Sequence, residues 1–171
     1  MRPYYSGAPA PRFSVLFDKV PTPCIGVCST TFGDVVCRGC RRYLHEVVDW
    51  NRYGDEAKRL VWQRLEALLA QVLPAYFRIE DPALLLSQMR HQHMDTRYPA
   101  PWSLLYALLR AGARQDPPLE LFGVCRLDRS PRSLPQLREH INAELYQLAC
   151  AYYEKDHLRA LARQASLPTP P

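Results

Sequence analysis

The sequence predicts a mostly α-helical protein, with an N-terminal four-cysteine metal-knuckle module followed by an irregular α-helical bundle. Three observations carry this. Four cysteines are grouped as C-x3-C-x8-C-x2-C at Cys24, Cys28, Cys37 and Cys40. Beyond them, apolar residues recur every three to four positions, the period of an amphipathic helix. Almost no segment alternates as a strand does. The 171 residues are 47% hydrophobic and 23% charged, a globular composition that builds a core without disulfides.

Residues 1–22 read as a flexible tail, because Pro3, Pro9, Pro11 and Pro21 interrupt them. Phe13, Val15, Leu16 and Phe17 form the one apolar stretch there, suited to a short docked arm. The cysteine module spans 23–73. Gly26, Gly33 and Gly39 supply the tight turns of a metal knuckle. A first helix is expected from Cys40 to Trp50. A second runs from 56 to 72 with Asp55 as its N-cap, and Pro74 ends it.

Residues 74–165 form the C-terminal helical region. Pro82 opens a helix over 83–93, and Pro101 opens another over 102–110 with Gly112 as C-cap. Pro117 and Pro118 mark a loop, and 119–127 reads as strand-like or irregular. Ser133 and Gln136 have capping-box spacing ahead of a long helix, which reaches about residue 164 with a bend near Lys155. Residues 166–171 are a disordered Pro-rich tail.

Cys37-Arg-Gly-Cys40 has the spacing that aims backbone N–H groups at sulfur. With Cys40 at a helix start, the helix dipole would further stabilise a thiolate. Ile25, Val27, Val35 and Val36 are placed to form a dry shell. Four thiolates suit a structural zinc ion or an iron–sulfur cluster. The sequence does not choose between them. No secretory segment precedes the cysteines, which points to a reducing cytoplasm and against disulfides.

The run from Pro23 through Cys28, then Val36-Cys37-Arg-Gly-Cys40-Arg-Arg42, then Glu46 to Trp50, resembles a family of short bacterial four-cysteine proteins. These are the YdhL-like predicted iron–sulfur proteins, a domain of unknown function. The resemblance covers about residues 22–70. It implies a metal site at the four cysteines, surrounded by Gly39, Arg42, Glu46 and Trp50. It implies no activity. Tyr43 stands where the family has a small hydroxyl residue.

The formal charge is +5, from 22 basic and 17 acidic residues, and 19 of the basic ones are Arg. Residues 1–73 carry +3 and 74–171 carry +2, so there is no basic arm. The densest groups are Arg38, Arg41 and Arg42, and Arg126, Arg129, Arg132 and Arg138. They read as a solvated surface ahead of a nucleic-acid face. No apolar run approaches the ~20 residues of a membrane span.

Weaker signals favour ordinary structure. His45-Glu46 with Asp49 is a degenerate zinc-protease motif, and pairing of Glu46 with Arg42 or with backbone N–H groups explains Glu46 better. His91, His93 and Met94 read as an exposed helix end, and His140 with Glu144 as surface residues. Cys125 and Cys150 read as small core residues. Trp50, Tyr53 and Trp62, among Arg52, Arg59 and Arg64, suit packing or cation–π contacts more than base stacking. The expected role is a non-enzymatic accessory protein whose metal site orders a module that contacts a protein partner. A redox-active iron–sulfur protein and a nucleic-acid-binding protein are the alternatives.

Overall fold

A computed structural model describes residues 20–98, 100–111 and 118–165. Among them are five α-helices: α1 (Leu44–Val48), α2 (Asp55–Val72), α3 (Pro82–His91), α4 (Pro101–Ala111) and α5 (Leu134–Ala165). Two short strands, β1 (Phe77–Ile79) and β2 (Val124–Arg126), pair antiparallel with Arg78 opposite Cys125. The predicted arm at 13–17, Gly112 and the tail after 165 lie outside the described residues.

The apolar periodicity of α2 turns Leu65, Leu68, Leu69 and Val72 inward. That face packs against α4 and α5, and α3 closes on α4. Leu85, Met89, Leu105, Leu108, Leu137, Ile141 and Leu145 are fully buried at the centre. Val36 and Tyr43 belong to the same core cluster, so the cysteine segment is joined to the helical body. Trp50, Val61 and Leu65 form a smaller second cluster, with Tyr53 and Trp62 packed on it.

Several boundaries differ from the sequence reading. Asp55 is the first residue of α2 and Gly54 is its cap, so the Asp55 carboxylate acts on the helix dipole and makes no capping bond. Asp81 is the true cap of α3, accepting the N–H groups of Ala83 and Leu84 at 3.0 and 2.9 Å. The Ser133–Gln136 capping box is present, with Ser133 N–H to Gln136 Oε1 at 2.9 Å. The α5 helix runs through Lys155 without interruption. Leu119–Phe122 is a 3₁₀ turn, and Gly123 at φ 67° swings the chain into β2. Of the supposed tail, Val20 is buried and the Pro21 carbonyl accepts the Trp62 indole N–H at 2.8 Å.

The start of α4 is held from a distance. Glu66 of α2 accepts the N–H groups of Trp102 and Ser103 at 2.9 and 2.8 Å, and also the Ser103 hydroxyl. Burial pushes the Glu66 carboxyl pKa up, and these three donors partly oppose the shift. Glu66→Ala is expected to lower stability by about 1–3 kcal/mol, since it strands two helix N–H groups. Urea unfolding measures this, and an unchanged midpoint would show that water replaces the carboxylate.

Candidate metal centre

Two cysteine-bearing segments meet. Residues 35–37 and 42–44 form a minimal ladder, in which Cys37 N–H donates to the Arg42 carbonyl at 2.8 Å and Leu44 N–H to the Val35 carbonyl at 2.9 Å. Cys37 to Arg42 is therefore a tight loop. Its left-handed residue is Arg41, at φ 61°, whereas Gly39 has no positive φ. The left-handed turn delays α1 to Leu44, so Cys40 does not begin a helix as the sequence suggested.

Gly39 is needed for a different reason. A Cβ there would lie 2.8 Å from the Val27 carbonyl oxygen and 3.0 Å from the Ile25 side chain. The loop carrying Cys37 and Cys40 is thus pressed directly on the 25–28 segment, between Cys24 and Cys28. Gly26 and Gly33, at φ 89° and 96°, are the true turn glycines. Gly39→Ala is expected to push the two segments apart at a cost of about 1–3 kcal/mol, read as a lower thermal midpoint.

The thiols are not equivalent. Cys37 is buried at 1% exposure. Burial pushes its pKa up, but hydrogen bonds from the backbone of Cys40, Ser29 and Gly39, and from the Cys40 side chain, outweigh that and bring it down to about 7. The backbone donors therefore favour a thiolate at Cys37. Burial pushes the Cys40 thiol pKa up instead, against Arg42, whose Nε donates to Cys40 Sγ at 3.4 Å. Cys24 Sγ accepts the Gly26 N–H at 3.4 Å, and Cys28 Sγ lies 3.0 Å from Thr30 Oγ1. Cys37 and Cys40 are brought together, while the sulfurs of Cys24 and Cys28 engage their own loop. No group of three or more His, Cys, Asp or Glu side chains has metal-binding geometry among the described residues.

The surrounding residues form a connected support. The Arg42 guanidinium lies 5.0 Å from the Trp50 ring, and Lys58 approaches the same ring at 5.9 Å. Glu46 does not pair with Arg42. It accepts the Tyr43 N–H at 2.8 Å and pairs with Arg64 of α2. Arg64 also donates to the Arg41 carbonyl at 3.2 Å and sits 3.9 Å over the Tyr43 ring. That ring meets Tyr153 of α5 edge-on at 5.1 Å. The aromatic residue at position 43 thus docks the knuckle onto a helix outside the region of resemblance.

Residues 22–69 match the family described as protein of unknown function DUF1289. The match covers the four cysteines, Arg42, Glu46, Trp50 and most of α2, which is the stretch that carries the resemblance. Residues 70–171 lie outside it. No curated protein and no solved structure matches.

Other expectations need correction. Of the supposed dry shell, only Val36 is buried, while Ile25, Val27 and Val35 are exposed by 41%, 72% and 43%. Arg41 and Arg42, read as solvated surface, are buried at 6% and 3%, because their guanidiniums serve the knuckle. Glu144 is not a free surface group, since it accepts the Tyr76 hydroxyl at 2.7 Å, with His140 edge-on to that ring. Cys125 and Cys150 are half-buried. His91 and His93 are exposed, as expected of a helix end, and His93 takes φ 54°. Trp62 stacks on Tyr98 at 4.2 Å, the cations over Trp50 are Arg42 and Lys58, and Arg64 lies over Tyr43. No local signal marks Arg64 as the partner of Glu46. They are 18 residues apart, and only the turn between α1 and α2 brings them together.

Proposed function

We infer that residues 23–50 form a metal-binding module, with Cys24, Cys28, Cys37 and Cys40 as ligands to a zinc ion or an iron–sulfur cluster. The observation that carries this is the contact of the two cysteine segments at Gly39, where no Cβ fits, beside a buried Cys37 whose pKa is brought down to about 7. That donor chemistry suits a thiolate-bound centre, which needs deprotonated sulfur and N–H groups to offset its charge. Bound metal would cross-link the 24–28 and 37–40 segments. The chain's own residues supply the frame: Gly39 permits the approach, Arg42 faces Cys40, and Glu46 with Arg64 holds the knuckle to α2.

The role is that of a non-enzymatic accessory protein presenting the ordered module to a protein partner. Support for a partner comes from apolar side chains that the module leaves in solvent, with Phe32 exposed by 90%, Val27 by 72% and Val48 by 68%. Anaerobic purification with metal analysis and a visible spectrum tests the metal. One centre per chain is expected. A folded, metal-free protein whose six thiols all react freely would overturn the reading. A coloured protein whose band bleaches on reduction would move the role from structural to redox.

A further inference from the structure

A cavity of about 70 Å³ lies on the seam between the knuckle and the helical body. Leu65 and Leu69 of α2, Ala107 of α4 and Leu145 of α5 give it an apolar wall, with Cys40 on the knuckle side. The volume is well below the ~300–1,000 Å³ of small-molecule sites and is on the scale of one side chain. The charged groups around it are already engaged. Asp95 pairs with Arg97 at 2.8 Å, and Arg110 lies in the field of the Asp95 carboxylate. The terminal nitrogens of Arg41 are taken by the carbonyls of Arg38 and Gly39 and by Asn142. What the cavity still offers is apolar contact.

The chain itself delivers an apolar segment to this place. Val20, the first described residue, is buried, and the Pro21 carbonyl accepts the Trp62 indole N–H at 2.8 Å. Trp62 and Pro23 both belong to the cavity wall, and Trp62 stacks on Tyr98, another wall residue, at 4.2 Å. The anchor of the N-terminal segment is therefore also the rim of the cavity. Phe13, Val15, Leu16 and Phe17 lie just upstream, outside the described residues. Phe17 is four positions from Pro21, and a fully extended chain spans at most ~3.3–3.6 Å per residue, so Phe17 stays within about 14 Å of the anchor. An extended backbone would also place Phe13, Val15 and Phe17 on one side.

We propose that Phe17 of the chain's own N-terminal arm docks in this cavity and straps the knuckle to α2 and α4. The tether selects the occupant. A segment joined by a short linker to the rim acts at an effective concentration in the millimolar range, which a free peptide or a partner's side chain does not match. Phe17 is the aromatic residue nearest the anchor, and an aromatic ring buries the most apolar area for one side chain. The strap does not depend on the metal assignment, since no proposed ligand is changed in its test.

The test is NMR of the full-length protein with labelled Leu and Ala methyl groups, beside thermal melts and sedimentation of the same samples. Nuclear Overhauser contacts from the Phe17 ring to the methyls of Leu65, Leu69, Ala107 or Leu145 are expected. Phe17→Ala should remove them and lower the thermal midpoint by about 4–8 °C, the loss of one buried aromatic side chain in a chain of this size. Phe17→Leu should recover part of the shift, and Phe13→Ala should cost less than Phe17→Ala. An unchanged midpoint in Phe17→Ala, or a larger shift in Phe13→Ala, would overturn the assignment of Phe17. Contacts to Leu60 in place of the cavity methyls would do so too, since Leu60 is exposed by 60% on α2 and would be the seat of the arm instead. A dimer that dissociates on Phe17→Ala would show that a second copy's arm fills the cavity, and would overturn the strap within one chain.

Discussion

Cys37→Ser is expected to abolish the proposed metal binding and to unfold residues 23–50 while α4 and α5 stay formed. Serine keeps the size of the side chain but does not ionise near neutral pH, so it cannot replace a thiolate ligand. Apparent metal binding in small structural zinc modules is worth roughly 10–16 kcal/mol, and such modules fold only with their metal. Cys37 is also the most deeply buried of the four cysteines, with N–H groups of Ser29, Gly39 and Cys40 directed to its sulfur. Hydrogen exchange should therefore become fast across the Cys37–Arg42 loop and α1. The main core makes the effect graded, because Val36 and Tyr43 pack with Leu105 and Leu145. The amides of α5 should remain protected, with a reduced thermal midpoint for the whole chain. Unchanged metal content and unchanged exchange across 23–50 would remove Cys37 from the ligand set.

The helices were legible because their signals are local. Apolar spacing located α2 and α5 to within a residue or two, and Ser133 with Gln136 marked the start of α5. The cysteine spacing located the knuckle but not its geometry. Glycine at position 39 looked like a turn residue, yet the chain turns at Arg41, and Gly39 is small because the Val27 carbonyl lies against it. Nothing local could reveal this, since the clash comes from twelve residues away. Strand β1 escaped for the same reason, while β2 falls inside the 119–127 stretch that reads as strand-like or irregular. Three residues each carry no periodicity, and the pairing of Phe77 with Arg126 depends on the intervening helices. Buried arginines were hidden by their own chemistry, because Arg41 and Arg42 are polar in any composition count. Only the fold shows that one ties four oxygens of the knuckle and α5, and that the other lies over Trp50.

Glu46→Ala is expected to cost about 2–4 kcal/mol and to loosen the knuckle from α2. The Glu46 carboxylate is nearly fully buried, with 7% of its side chain exposed, and it accepts from the Tyr43 N–H and from two nitrogens of Arg64. Losing one partner of a buried pair costs ~3–5 kcal/mol, because the other charge is left without a counterion. Arg64 keeps 26% of its side chain exposed, so water recovers part of that, and the lower range applies. Glu46→Gln should cost about half as much, since its carbonyl oxygen still accepts the Tyr43 N–H while the charge is lost. A double-mutant cycle with Arg64→Met separates the pair from its surroundings. Coupling above about 1 kcal/mol is expected, as the two side chains share both charge and geometry. Additive losses would mean that each side chain acts through its own packing, and that Arg64 over the Tyr43 ring, not the ion pair, joins the knuckle to α2. In that case Tyr43→Leu should loosen the knuckle as much as Glu46→Ala does, because removing the ring removes both the cation–π contact and the edge of Tyr153.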